Sequence, residues 1–260
     1  MGQAYVEKKT RTEFELRPPR HRLRLHSLRG EEGANSVDPA DFHQLDDALE
    51  LAAYLETGSP GAAVTGAWAA IEGLLHSPGE RGAVQAADRL AAIVACAVER
   101  AELTSLVFRH EQNGHDQLAD QLRTSHSRYE KVRRVEAHLR AGGSLSLEWS
   151  GDSAALDRVQ AMIRDPKGDL ERIQQYTSAT FRRLYNQRNL VMHGGSFRSL
   201  ALSATLRTAP ALVGAGLDRI VHAQLSELHQ SPLEVSARAS TELALLGTPG
   251  QSWLVDLLGR

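Results

Sequence analysis

From Asp38 to about His229 the apolar residues recur at helical spacing, and short glycine- and proline-rich breaks divide the pattern. The breaks are Gly58-Ser-Pro-Gly61, Ser77-Pro-Gly79, Gly142-Gly143 and Gly194-Gly195. This punctuation predicts helices near 39–57, 61–76, 81–112, 114–141, 152–164, 167–193 and 200–229. Asp38 is placed as an N-cap with Pro39 at the first helical position. Pro210, Gly214 and Gly216 leave the last of these segments open to a break in two. Leu145 to Trp149 reads as a short strand or a loop. The pattern after Pro232 is ambiguous, although the run from Trp253 to Leu258 has enough apolar weight to dock on the body. The expectation is an all-α chain: a basic arm over 1–38, a helical domain over 39–230 and a docking tail over 231–260.

A helical body of this kind must be built largely from alanine and leucine, because aromatic residues are 5% of the 260 residues. Small side chains favour close helix packing. Hydrophobic content of 42% and charged content of 24% are ordinary for a globular domain. A formal net charge of −2 argues against a uniformly basic coat for nucleic acid and leaves room for a local basic surface. The single cysteine, Cys96, sits in an apolar run and reads as a small core residue. One thiol excludes an internal disulfide and a four-thiolate zinc site. The uninterrupted apolar runs fall short of the roughly 18 residues that span a bilayer, and no signal-peptide segment opens the chain. The default expectation is therefore a cytoplasmic protein.

The first thirty residues differ. Residues 12–17 and 21–26 both alternate polar with apolar, and Pro18-Pro19 separates them. That pattern predicts a short hairpin or an extended arm. Lys8, Lys9, Arg11, Arg17, Arg20, Arg22, Arg24 and Arg29 outnumber Glu7, Glu13 and Glu15 there. Such charges blunt a sheet edge, or they contact phosphates.

On the segment 167–193, Leu170, Thr177, Phe181, Leu184, Val191 and Met192 gather on one stripe, with Arg188 in its middle. A guanidinium held among apolar residues costs several kcal/mol, on the order of magnitude, unless an anion meets it. Asn189 and His193 are four apart and share a face. The glycine pair ends the helix and leaves His193 in its last turn, where an imidazole can exchange protons near neutral pH. Histidine, arginine and asparagine so placed are the parts for metal-free phosphodiester cleavage, a base for the 2′-hydroxyl and a cation for the phosphorane. The plainer reading pairs Arg188 with a glutamate of a neighbouring helix and leaves His193 to cap carbonyls. Glu72 lies at the margin of the stripe Val64, Trp68, Ile71 and Leu75, where it either reaches Arg188 or remains a solvated flank. Tyr185 either packs or stacks on a base. Arg182, Arg183 and Arg198 flank the segment, and Lys131, Arg133 and Arg134 form a second basic cluster. If the first three border a cleft, they gather RNA backbone, most readily single-stranded.

Other motifs carry less. His110 and His115 are five apart, so they diverge on a helix, and Gly114 breaks it. His193-Gly-Gly lacks the downstream Gly-x-Ser-x-Gly elbow of an esterase, and no nucleotide-binding glycine loop is present. No metal or cofactor is expected.

The stretch Tyr185-Asn-Gln-Arg-Asn-Leu-Val-Met-His-Gly-Gly195 resembles the signature of the HEPN superfamily, in which an arginine precedes a histidine by four to six residues. A polar residue after the arginine is typical, and Asn189 fits. Ala67 to Leu75 resembles an early HEPN helix, especially of the Apea-like group. The strict match covers some thirty residues. The resemblance implies an antiparallel helical bundle, with the middle section near 81–165 as an elaboration. It implies a metal-independent endoribonuclease of anti-phage defence or a toxin–antitoxin system. Such proteins dimerise so that two motifs face one cleft, and they leave a 2′,3′-cyclic phosphate. Arg188 and His193 carry over as catalytic residues and Asn189 as their support. The resemblance also admits a non-catalytic module that dimerises or binds a partner protein or nucleotide. A weaker third expectation is a regulatory subunit that recognises nucleic acid through the N-terminal arm.

Overall fold

The computed structural model describes residues 5–6, 14–15, 39–80, 82, 84–194, 200–226, 229–248 and 253–258. Its fold is all-α apart from one small antiparallel pair. The strands are β1 (Tyr5–Val6) and β2 (Phe14–Glu15), with Tyr5 opposite Glu15 and Val6 opposite Phe14. Within the alternating segment 12–17 the described residues Phe14 and Glu15 thus pair with β1, and 21–26 lies outside the described residues. The expected cap at Asp38 lies outside them too.

The helices are α1 (Pro39–Ala52), α2 (Tyr54–Thr57), α3 (Pro60–Leu75), α4 (Val84–Asn113), α5 (Gln117–Thr124) and α6 (Arg128–Arg140). They continue with α7 (Ser150–Arg164), α8 (Pro166–Gly194), α9 (Leu200–Leu225), α10 (Pro232–Leu245) and a short 3-10 turn, Leu254–Asp256. One segment expected as a single helix is corrected, and one left ambiguous resolves as helix, both through local caps. The segment 114–141 is two helices, because Asp116 and Ser127 each cap one: their side chains accept from the N–H groups of Ala119 (2.9 Å) and Glu130 (3.3 Å). The region after Pro232 is helical, because Ser231 and Glu234 form a reciprocal cap, with Ser231 N–H donating to Glu234 at 2.7 Å. Residues 145–149 are loop, and α9 runs unbroken through the buried Pro210.

The chain forms two compact units. The first comprises Met1–Val94 and Gln175–Ala237, the second Ala95–Gln174 and Arg238–Arg260. In the first unit α3 packs against α1, α2 and α9. Its start is set by Ser59, whose hydroxyl accepts from Ala62 N–H, and by Pro60 at the first helical position. Trp68, Ile71 and Leu75 of α3, Leu90 of α4, Phe181 and Leu184 of α8, and Val213 and Ile220 of α9 are buried there. Each such side chain contributes about 1.5–3 kcal/mol by leaving water. Past the end of α3, Arg89 donates to Leu75 O (2.7 Å) and grips Glu80 with both terminal nitrogens. That hydrogen bonding, with Ser77 N–H, holds the Glu80 carboxyl down at about 2. By length and composition α9 would reach across a membrane; in the first unit it buries Leu202, Val213, Leu217 and Ile220 as core.

In the second unit Leu103, Leu106, Leu122, Val132, Val135, Val159 and Leu170 are buried. Cys96 is also buried, with its Sγ 3.6 Å from Ala239 O. Leu254, Val255, Leu257 and Leu258 are buried as well, and the Glu136 carboxylate accepts the N–H groups of Leu254 (3.0 Å) and Val255 (3.1 Å).

Gly66 marks a close approach of α3 to α1 in the first unit. A Cβ there would strike the Leu51 carbonyl oxygen, a backbone atom that cannot rotate away. Gly66→Ala is expected to lower stability by about 1–3 kcal/mol despite alanine's better helix propensity. Chemical denaturation checks this, and an unchanged midpoint would show that α1 and α3 part freely.

Candidate functional site

The C-terminal part of α8 carries the motif within the first unit. Its inward stripe is Thr177, Phe181, Leu184 and Val191, all buried; Leu170, also buried, belongs to the second unit. Met192 departs from the expectation. It is 54% exposed, and its sulfur meets the Thr65 hydroxyl of α3 at 3.9 Å. Leu190 is 50% exposed. The end of α8 therefore presents apolar side chains to solvent beside the motif.

Arg188 lies one helical turn after Leu184 and is half-buried. Its Nη1 donates to Asn189 Oδ1 at 3.1 Å. Among the described residues no carboxylate pairs with it. Glu72, the marginal carboxylate of α3, does not reach it; Glu72 Oε2 accepts the indole N–H of Trp68, one turn earlier on the same helix, at 3.1 Å. The reason is proximity: a partner at i−4 on its own helix is met without crossing to α8. Trp68 in turn meets Tyr185, with ring centroids 4.9 Å apart and planes tilted by 47°. Tyr185, one turn before Arg188 on α8, thus packs on the core tryptophan that holds Glu72.

His193 is exposed in the last turn of α8, and among the described residues its imidazole has no hydrogen-bond partner. Arg188 and Asn189 touch each other, and no bond joins either to His193. The guanidinium is thus oriented, and the imidazole is open to solvent.

The flanking arginines divide. Arg182 Nη2 is 2.9 and 2.8 Å from the two carboxylate oxygens of Asp88 on α4, and Ser178 donates to the same carboxylate at 2.5 Å. Its charge is already matched, although the side chain is exposed. Arg183 donates to Thr180 Oγ1 at 2.9 Å and has no carboxylate partner among the described residues. Arg198 lies outside the described residues. Sequence reasoning missed Asp88 as the mate of Arg182, because the two are 94 positions apart and no periodicity links them. It also missed the Trp68–Glu72 bond, which an i, i+4 reading of α3 would have found.

In the second unit both ring nitrogens of His110 are engaged within the protein. It is buried, its Nδ1 accepts from Ser146 N–H at 3.0 Å, and its Nε2 lies 3.2 Å from Asp116 Oδ1. This histidine fastens the loop after α6. Lys131 pairs with Glu111 at 2.7 Å, whereas Arg134 is exposed.

No family model matches this sequence, and no curated protein or solved structure is significantly similar to it.

Proposed function

We propose that the chain is a metal-independent endoribonuclease of HEPN type, with Arg188, Asn189 and His193 as its catalytic group. The observation that carries this reading is the half-buried Arg188 guanidinium, held by Asn189 and met by no carboxylate among the described residues. A phosphate would supply that missing charge through paired N–H···O bonds. His193, exposed at the helix end, takes the proton from the ribose 2′-hydroxyl. The O2′–P bond forms, the P–O5′ bond breaks, and the departing 5′-oxygen is protonated. The products are a 2′,3′-cyclic phosphate and a 5′-hydroxyl. Arg188 stabilises the charge that gathers on the non-bridging oxygens. Arg183 adds attraction for the RNA backbone, and Arg182 less so because Asp88 neutralises it. Single-stranded RNA is the substrate, in the cytoplasm, within anti-phage defence or a toxin–antitoxin pair.

The exposed Leu190 and Met192 favour a protein surface over this end of α8. A second copy that brings two motifs to one cleft satisfies that requirement. They equally favour the rival reading, a non-catalytic module that binds a different protein through this face.

Digestion of an unstructured RNA in the presence of a strong chelator tests the proposal. Expected are cyclic-phosphate and 5′-hydroxyl ends, with cleavage surviving the chelator. Intact RNA at every protein concentration would favour the binding module, and products with 5′-phosphate ends would exclude attack by the 2′-hydroxyl.

A further inference from the structure

The outward face of α8 carries an aromatic ring to which the proposed catalytic group gives no role. Tyr176 is 70% exposed, more than any other aromatic side chain among the described residues, and no ring contact or side-chain hydrogen bond holds it there. It forgoes the burial that Phe181 obtains on the same helix.

Two turns further along, Arg183 is exposed on the same face. Its guanidinium is held rather than paired. Arg183 Nη2 donates to Thr180 Oγ1 at 2.9 Å. Thr180 is 6% exposed, and its hydroxyl donates to the Tyr176 carbonyl oxygen at 2.9 Å. The arginine is thus oriented by a buried hydroxyl that is itself fixed to the backbone of Tyr176. A carboxylate one turn away is the usual mate of a surface arginine on a helix. Here those positions are Ala179, Thr180, Asn186 and Gln187, none of them acidic. Asp88, which α4 brings to this stretch, is taken by Arg182 and Ser178. Ala179, small and exposed, lies between the ring and the guanidinium.

The surroundings have one sign. From Tyr176 to Gly194 there is no aspartate or glutamate. The exposed face continues from Arg183 through Asn186 and Leu190 to His193. At 1.5 Å per residue, Tyr176 stands about 25 Å from His193 along the axis, room for several nucleotides of an extended strand.

We propose that Tyr176 and Arg183 form a nucleotide subsite for single-stranded RNA, remote from the phosphate held at Arg188. A base stacks on the Tyr176 ring over Ala179, and Arg183 takes a phosphate beside it. The subsite rests on the reading of α8 as a helix that acts on RNA, and it concerns binding, not the bond cleaved.

The test is the affinity of full-length His193→Ala protein for a single-stranded oligoribonucleotide of about ten nucleotides. Adding Tyr176→Ala is expected to weaken binding about 5–100-fold, whereas Tyr176→Phe, which keeps the ring, should stay within about twofold. Arg183→Gln should weaken binding and reduce the slope of log affinity against log salt by about 0.7, the share of one phosphate contact on a single strand. Tyr176→Ala should leave that slope unchanged. Both positions are exposed, so the unfolding midpoint should not move. A duplex of the same sequence hides its base faces, and its binding should ignore Tyr176→Ala.

Affinity for the single strand that is the same with and without Tyr176→Ala overturns the subsite, as does no binding at all. An equal loss for duplex and single strand overturns the stack. RNA held through Tyr176 and Arg183 but left intact by the wild type keeps the subsite and removes the nuclease. RNA cleaved by the wild type, with affinity indifferent to both positions, keeps the nuclease and removes the subsite.

Discussion

An Arg188→Ala protein is expected to cleave RNA about 10²–10³-fold more slowly than the wild type, with almost no change in its unfolding midpoint. The two halves of this expectation come from the same geometry. Arg188 has one polar partner, the Asn189 side chain next to it, and no carboxylate among the described residues. Its removal breaks no ion pair and orphans no buried charge, so the fold loses a single short-range bond and some packing. A transition state with charge growing on phosphate oxygens, by contrast, loses its main cation. Arg188→Lys keeps the charge but not the planar fork, so it should fall between the wild type and alanine. His193→Ala should lose about 10²–10⁴-fold, since the 2′-hydroxyl then gives its proton to water. The double variant should be little worse than the poorer single one, because residues that act on one step are not additive. Cleavage at the wild-type rate by both single variants removes the mechanism. A collapse in the stability of Arg188→Ala alone would instead make the guanidinium a structural element of the first unit.

Local rules made most of the helical frame legible. The Ser59-Pro60 start of α3 follows from capping chemistry within a few residues. Where the reading went astray, a cap hid inside a polar run. Ser125-His-Ser127 looks like helix surface, yet Ser127 starts a new helix there. Ser231 and Glu234 make a capping box that the proline between them obscured. At Pro210 the sequence left a break open, and α9 runs through it with neighbouring apolar residues buried on both sides.

The candidate site was legible in part. The stripe with Arg188 in its middle needs only the helical period, and the packing of Thr177, Phe181, Leu184 and Val191 follows it. Partners were not legible, because they depend on tertiary distance. Glu72 was open to either outcome, and its bond with Trp68 is local. Asp88 meets Arg182 from a different helix. The division into two compact units, whose boundaries fall inside α4, α8 and α10, leaves no composition shift or linker to be read.

Glu99→Gln is expected to flatten the pH dependence of stability between about pH 5 and 9. Glu99 is buried in the second unit, with neither carboxyl oxygen hydrogen-bonded, and it lies within the field of Glu136. Burial, then the Glu136 charge, raise its pKa from 4.5 to about 9, and Arg140 only partly offsets them. The sign follows from proton counts. Below the unfolded value both states hold the proton, and Glu99 adds no pH dependence. Between the unfolded and folded values the unfolded chain releases the proton while the native state keeps it, so stability falls as pH rises. Each pH unit in that window costs about 1.4 kcal/mol, and at pH 7 the cost from Glu99 is roughly 3 kcal/mol. Above about pH 9 the group ionises in place against Glu136, the carboxylate that holds Leu254 and Val255 by their N–H groups. Glutamine keeps the shape and removes the titration, although its amide also lacks a partner, at a cost of about 1–3 kcal/mol. The informative quantity is therefore the difference between wild type and variant as a function of pH, not the offset at one pH. Urea unfolding at several pH values should show that difference growing in favour of Glu99→Gln from pH 5 to 9 and then levelling. Parallel curves across the window would mean that Glu99 is solvated in the native state, and that α4 does not seal it against α6.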